Sequence, residues 1–395
     1  MRRGTEREQI GGEAFGLWSR RRAIQAGLAA VGLAACEVES PIDLQDIEDA
    51  PRFEGCDPDL NTNFMIAETA PDAIESLDDP VWVQAGQQSI PSYLYPEARI
   101  IGIQVDGQAY AIPLSVLWHH EIVNLDPPSP LWPRLAITYC PLTGSSLVFD
   151  RSSVGSVTIG VSGIIFMNNL MLFDRSGPDA SIWSQMLAAA VCGPQTGAKL
   201  GRFPFVEMKW PHWLELHPST LVLAGDQGYD PVVFDYTELG YPYGVYRESE
   251  PFWRAATTMP PPDRRRFSKE RVVGVPPTAS DPGIAFPFAA LTERDGPHQV
   301  VEFTYDGDAA VVLWSDEAQG GMAFRPVTES GDTFTLRATN SGFEDEETGS
   351  GWTVDGRAVS GPMDRTRLLA IEQTHTAFWG AWAAFHPDTR LWEWP

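Results

Sequence analysis

Lysine is nearly missing from this 395-residue chain: it has only Lys199, Lys209 and Lys269, and its 28 basic residues face 53 acidic ones for a formal charge of −25. A surface this acidic repels phosphate backbones and anionic headgroups, so nucleic acid is not an expected partner. Cysteine is scarce as well. The four present are Cys36, Cys56, Cys140 and Cys192, and no two are spaced as CxxC. No Walker loop, dinucleotide fingerprint, HExxH helix or GxSxG elbow occurs, which removes the common nucleotide-dependent, zincin and serine-hydrolase signatures. One short apolar run stands out near the N-terminus, at 26–35, and it is too short to cross a bilayer as a mature helix.

That run belongs to an export pattern. Ser19-Arg20-Arg21-Arg22 resembles a twin-arginine signal, and Leu33-Ala34-Ala35-Cys36 resembles a bacterial lipobox. The expectation is a processed signal over 1–35, lipidation at Cys36 and an acidic tether over 36–60. The protein is then extracytoplasmic, held to the membrane through a lipid anchor on Cys36. Losing 1–35 removes six arginines and three glutamates, leaving 22 basic against 50 acidic residues and a charge of −28.

Two copies of one pattern fill the remainder. Arg99-Ile-Ile-Gly102, Trp183, Gly193, Trp213 and His217-Pro218 are answered by Arg271-Val-Val-Gly274, Trp352, Gly361, Trp382 and His386-Pro387. Trp183 to Gly193 spans 10 residues against 9 for Trp352 to Gly361, and Gly193 to His217 spans 24 against 25 for Gly361 to His386. Thr138-Tyr139-Cys140 is matched with Thr304-Tyr305-Asp306. A duplication separates what the scaffold needs from what one copy has added. The repeated His-Pro motifs read as turns. Cys140 and the run His119-His120-Glu121 occur once, so chemistry is sought in the first copy.

Strand patterns fall at 99–105, 135–139, 145–149, 157–162, 169–173, 299–305, 309–314 and 333–337, separated by Asp-Gly, Ser-Gly and proline turns. Helical patterns are fewer, at 114–121, 182–191 and 288–294. The expected fold is mainly β with a few short helices (α+β), internally duplicated as two similar β-rich halves packed together. The first repeat is placed at 61–225 with the candidate site, a connection at 226–269 and the second repeat at 270–395.

Cys140 ends an apolar strand ahead of Pro141 and a turn at Gly144, where a strand delivers a side chain to a cleft. A buried cysteine serving as a small apolar residue is the competing reading. With Cys36 lipidated, Cys56 and Cys192 can pair, and Cys140 is then the thiol left over. Successive helical residues point about 100° apart, so one imidazole, His120 with Glu121 as its orienting neighbour, is the better candidate to approach Cys140. Thiolate and imidazole suit copper or zinc, with Cys140, His119 and His120 as ligand candidates and Met167 or Met171 adding a thioether that favours copper(I). Cys140, His120 and Glu121 can instead form the catalytic set of a thiol enzyme or redox protein. A non-catalytic ligand-binding or assembly module is the third reading. Asn168, Asn169, Ser184 and Gln185 either line a first-copy pocket or form polar turns.

The run Thr138-Tyr-Cys-Pro-Leu-Thr-Gly144-Ser-Ser146, with Trp118-His-His-Glu121 ahead of it and Trp352 and Phe385-His-Pro387 behind, resembles the bacterial family of unknown function DUF3179. The resemblance runs from about Phe64 to Trp392. Many relatives in that family read Cys-Pro-Leu-Cys at this signature, whereas Thr143 stands at the second cysteine position here. The resemblance therefore implies no CxxC dithiol chemistry for this chain.

Overall fold

The computed structural model describes residues 55–86, 93–229, 234–237, 240–293 and 296–393. The expected signal, Cys36 and most of the tether lie outside these residues. Among the described residues, no helix is long and apolar enough to cross a membrane.

The chain is mainly β. In the first half come β1 (Arg99–Val105), β2 (Gln108–Pro113), α1 (Leu114–His120), β3 (Ile122–Leu125), β4 (Leu135–Cys140), β5 (Ser145–Asp150), β6 (Ile159–Phe166), β7 (Asn169–Asp174), β8 (Ile182–Ser184), β9 (Val206–Lys209) and α2 (Trp210–Leu216). The second half supplies β10 (Arg271–Val275), β11 (Ile284–Pro287), α3 (Phe288–Thr292), β12 (His298–Tyr305), β13 (Asp308–Ser315), β14 (Gly320–Thr328), β15 (Leu336–Thr339), β16 (Gly342–Asp345), β17 (Gly351–Trp352), β18 (His375–Phe378) and α4 (Trp379–Phe385). The largest sheet runs β11-β10-β18-β5-β4-β3 through its middle, so both halves contribute to it. They meet where Thr376 of β18 pairs with Ser146 of β5.

The two halves repeat the same contacts. Gly102 and Gly274 lie beneath indoles, because a Cβ there would stand 2.5 Å from Trp213 and 2.2 Å from Trp382. Those indoles donate to Thr220 at 3.0 Å and to Thr389 at 3.1 Å. Asp174 accepts from Trp183 at 2.7 Å, and Asp345 accepts from Trp352 at 2.8 Å. The halves also clasp each other alike: Lys209 N donates to Ala318 O at 2.9 Å, and Phe378 N to Thr143 O at 2.8 Å.

Three sequence expectations need correction. The stretch 182–191 is not a helix but a hairpin of β8 with Ala189–Cys192, turned at Ala188 with φ 48°. Its apolar residues are buried on both sides, which periodicity cannot tell from a buried helix. Helices α2 and α4 were not expected, since their tryptophans obscure the helical period. The third concerns the counterpart of Cys140. The β4–β5 hairpin closes four residues between Cys140 and Ser145, and β13–β14 closes four between Ser315 and Gly320. Both end on a left-handed residue, Gly144 at φ 58° and Gln319 at φ 43°. By hairpin geometry Cys140 corresponds to Ser315, not Asp306. Asp306 sits instead in the β12–β13 turn, accepting from Thr278 and Ser280.

Candidate functional site

Residues on β4 alternate between two apolar clusters, as a period of two requires. Leu135, Ile137 and Tyr139 pack into the cluster that holds α1, whereas Ala136 and Cys140 pack into the one beneath β6, β7 and β8. Cys140 therefore leaves the sheet on the face away from α1.

There it is a free thiol, 1 % exposed. Cys56 and Cys192 form the disulfide. The Cys140 thiol donates to Asn168 O at 3.7 Å and its sulfur accepts from Leu170 N at 3.3 Å. Burial, reinforced by the neighbouring Glu121 charge, pushes the thiol up to about 11. At neutral pH it is protonated, the opposite of what a nucleophilic cysteine needs.

Glu121 does come close to Cys140. It caps α1 in the left-handed region at φ 58°, and burial raises its carboxyl to about 8. Tyr243 covers the pair, its hydroxyl held well above the usual range by burial and then by Glu121. Tyr246 closes over the same place and donates to Leu142 O at 2.9 Å. Lys269 sits 3.9 Å above the Tyr246 ring and fastens this strap, the segment that carries Tyr243 and Tyr246, by donating to Ser249 O and Pro251 O.

The histidines lie elsewhere. His120 bonds through Nδ1 to Glu75 O at 2.9 Å and through Nε2 to Tyr236 Oη at 2.6 Å, stacked on Phe234. A carbonyl accepts only from an N–H, so Nδ1 carries a proton. Both nitrogens are thus engaged. His119 Nε2 meets Asp235 O at 3.1 Å, and burial lowers the His119 pKa. The expected Cys140–His centre is consequently not assembled, because β4 sends the thiol and α1 sends the imidazoles to different faces of the sheet. Among the described residues, no group of three or more His, Cys, Asp and Glu is placed to hold a metal ion.

The rest of the signature forms a closed buried network. Asn169 Nδ2 reaches Thr143 Oγ1 at 2.9 Å, Ser145 Oγ at 3.0 Å and Gln185 Oε1 at 2.7 Å. Ser145 donates to Gln185 Oε1 at 2.7 Å, and Gln185 Nε2 donates to Thr138 Oγ1 at 2.8 Å. The Asn169 carbonyl accepts from Met186 N at 3.2 Å. All five side chains are fully buried, so this network rigidifies the core and does not line a pocket. Asn168 differs: its side chain donates to Thr258 at 2.8 Å, fastening the connection against the turn that holds Cys140.

Beside that turn lies a cleft of about 1120 Å³, between the connection and α4. Met167, Phe252, Met259, Pro261, Ala383 and Ala384 line it, with Ser268 and the charged Glu250, Asp263, Arg264 and Arg266 also in its wall. Sequence reasoning passed over this segment because its prolines and charges carry no periodic signal. The only hint was its length, since a 44-residue connection without regular strands is long for a compact domain.

No curated protein and no solved structure matches the chain. The model of DUF3179, a protein family of unknown function, matches residues 71–389, nearly the whole described body, and the chain belongs to that family.

Proposed function

We propose that this is an exported envelope lipoprotein, anchored through Cys36, whose body is a non-catalytic ligand-binding module. The observation that carries the reading is the 1120 Å³ cleft beside the Met167–Asn168 turn: concave, mainly apolar and edged by a few polar groups, which is the usual form of a small-molecule site. The buried, protonated Cys140 weighs against thiol catalysis, and the engagement of His120 on the other side of the sheet weighs against a Cys–His copper or zinc centre. The paired contacts of the two halves favour duplication of one unit as their origin, with the cleft added where the connection crosses the first half.

The test fills the cleft. Ala384 is only partly buried and lines it, so Ala384→Trp should fold normally. Native mass spectrometry of the membrane-extracted protein is expected to show an apolar small molecule bound to the wild type and absent from the variant. An empty wild type, or equal occupancy in both, overturns the reading.

A further inference from the structure

Arg99 and Arg271 hold the same place in the two halves, at the first residue of β1 and of β10. Both bind one carboxylate, Glu207 of β9, at 2.7 and 2.8 Å: Arg99 from the neighbouring strand of its own half, and Arg271 from across the junction. The Glu207 side chain is fully buried and also accepts from Ser146 at 2.5 Å. The two guanidinium groups hold it below the ordinary carboxylate range despite its burial, so it stays ionised. A third guanidinium comes from the connection: Arg247 lies 3.9 Å over the Tyr241 ring and 5.4 Å over that of Trp118.

The three arginines line a cavity of about 210 Å³ with Ser115, Tyr95, Leu114 and Trp118. It shares no lining residue with the larger cleft. Glu97 also lines it, but that side chain is 68 % exposed and already paired with Lys209 at 2.7 Å. Three buried or half-buried cations therefore face one buried anion, an excess of positive charge inside a protein whose net charge is −25. Among the described residues, Ser115 Oγ and Arg247 Nε are buried without a hydrogen-bond partner. Leaving such donors unmet costs about 1–3 kcal/mol each, more for a charged group, unless something binds them.

We propose that this cavity is a binding site for a small oxyanion, a phosphate or a short carboxylate, whose oxygens accept from Arg247, Arg271 and Ser115. A guanidinium presents a planar fork of donors matched to such oxygens, and lysine does not. The volume lies below the roughly 300 Å³ at which drug-sized pockets begin, which limits the occupant to a compact anion. Trp118 and Leu114 offer a wall for a short apolar portion if the anion is a carboxylate.

The test titrates the full-length protein with inorganic phosphate and, separately, with succinate, at constant ionic strength and with chloride as the reference. Calorimetry is expected to show saturable binding of at least one probe. Arg247→Gln should weaken it tenfold or more while the chain still folds, because among the described residues Arg247 has no carboxylate partner to strand and loses only its ring contacts with Tyr241 and Trp118. Ser115→Ala, which removes a single oxygen, should weaken it by a smaller factor and keeps the test open if the arginine variant misfolds. Phosphate binding without succinate binding, or the reverse, identifies the head group. Wild-type protein that binds neither probe beyond chloride, or variants that bind as tightly as the wild type, would sink the proposal.

Discussion

The β4–β5 and β13–β14 hairpins have the same four-residue closure and the same register, yet they are held by opposite means. At the tip of the first, the side chains of Thr138, Thr143, Ser145, Asn169 and Gln185 bond one another in a buried web. At the second, Ser315 Oγ accepts from Ala318 N at 3.3 Å, and the backbone closes in: a Cβ on Gly320 would lie 2.6 Å from Glu207 O, and one on Gly321 would lie 2.5 Å from Leu313 O. One tip is fixed by a buried web of side chains, and the other by close backbone approach at two glycines, with Ser315 and Gln319 making only local bonds to Ala318 N and Asp316. A polar signature at a shared structural position is thus no proof of a site, because part of it substitutes for close packing.

The widest gap between the halves is expected on removing the centre of the web. Asn169→Ala takes donors from Thr143, Ser145 and Gln185 and leaves Met186 N unpaired, and each orphaned buried group costs about 1–3 kcal/mol. Urea unfolding should report a loss of about 3 kcal/mol or more for Asn169→Ala, against less than about 1 kcal/mol for Ser315→Ala, which forfeits a single bond. Similar costs for the two would break the contrast.

The His-Pro corners sharpen it next. His217 Nε2 meets Asp355 Oδ2 of the other half at 3.1 Å, and Gln104 joins them. Burial alone would raise Asp355, but the His217 bond and charge, with Arg367, pull it well below the usual range. His386 meets Trp382 edge-on, with its Nε2 unpartnered among the described residues, and burial, then the Arg202 charge, lowers it to about 3. Unfolded histidine titrates near pH 6.5, so on acidification the unfolded chain takes up a proton that folded His386 refuses. The stability that neutral His386 confers is complete above about pH 6.5 and falls away as the pH drops toward 3. Between pH 6 and 4.5 this linkage amounts to about 2 kcal/mol. His386→Phe should flatten the acid limb of the stability curve by that amount, whereas His217→Phe should lower stability at neutral pH by taking one bond from the buried Asp355, which keeps Gln104 and Thr353. An unchanged acid limb in the His386 variant would remove it as a source of acid sensitivity.

Much of this scaffold was legible in the sequence. Arg99-Ile-Ile-Gly102 and Arg271-Val-Val-Gly274 announced matching strands, and the tryptophan, glycine and His-Pro landmarks fell where the contacts repeat, because an indole packed on a glycine tolerates little change in spacing. Counting left Cys56 and Cys192 able to pair, and the structure joins them. The site was less legible. Adjacency of His119-His120-Glu121 to Cys140 along the pattern suggested convergence, but which face of the sheet a residue occupies depends on register, and β4 sends Tyr139 and Cys140 opposite ways. Matching Thr304-Tyr305-Asp306 to the cysteine signature failed for a related reason: composition agreed while the hairpin order did not. The tyrosine strap and the arginine-lined cavity arise from residues far apart in the chain, so no local spacing could reveal them.

The smallest effect tests whether the halves are equivalent where they look alike. Asp174 accepts from Trp183 Nε1 at 2.7 Å and from Ser181 N at 3.0 Å; Asp345 accepts from Trp352 Nε1 at 2.8 Å and from Ser350 N at 3.2 Å. Both indoles are almost wholly buried, and both follow the strand that carries their aspartate. Replacing either with phenylalanine keeps an aromatic body but removes the N–H, leaving each carboxylate with one bond fewer. The expected cost is about 1–2 kcal/mol for Trp183→Phe and the same for Trp352→Phe. The variants lie in separate sheets, so the double variant should lose about the sum. A cost that differs between the two by more than about 1 kcal/mol would show that one half has come to depend on this anchor and the other has not, and the shared geometry would then be a poor guide to shared energetics.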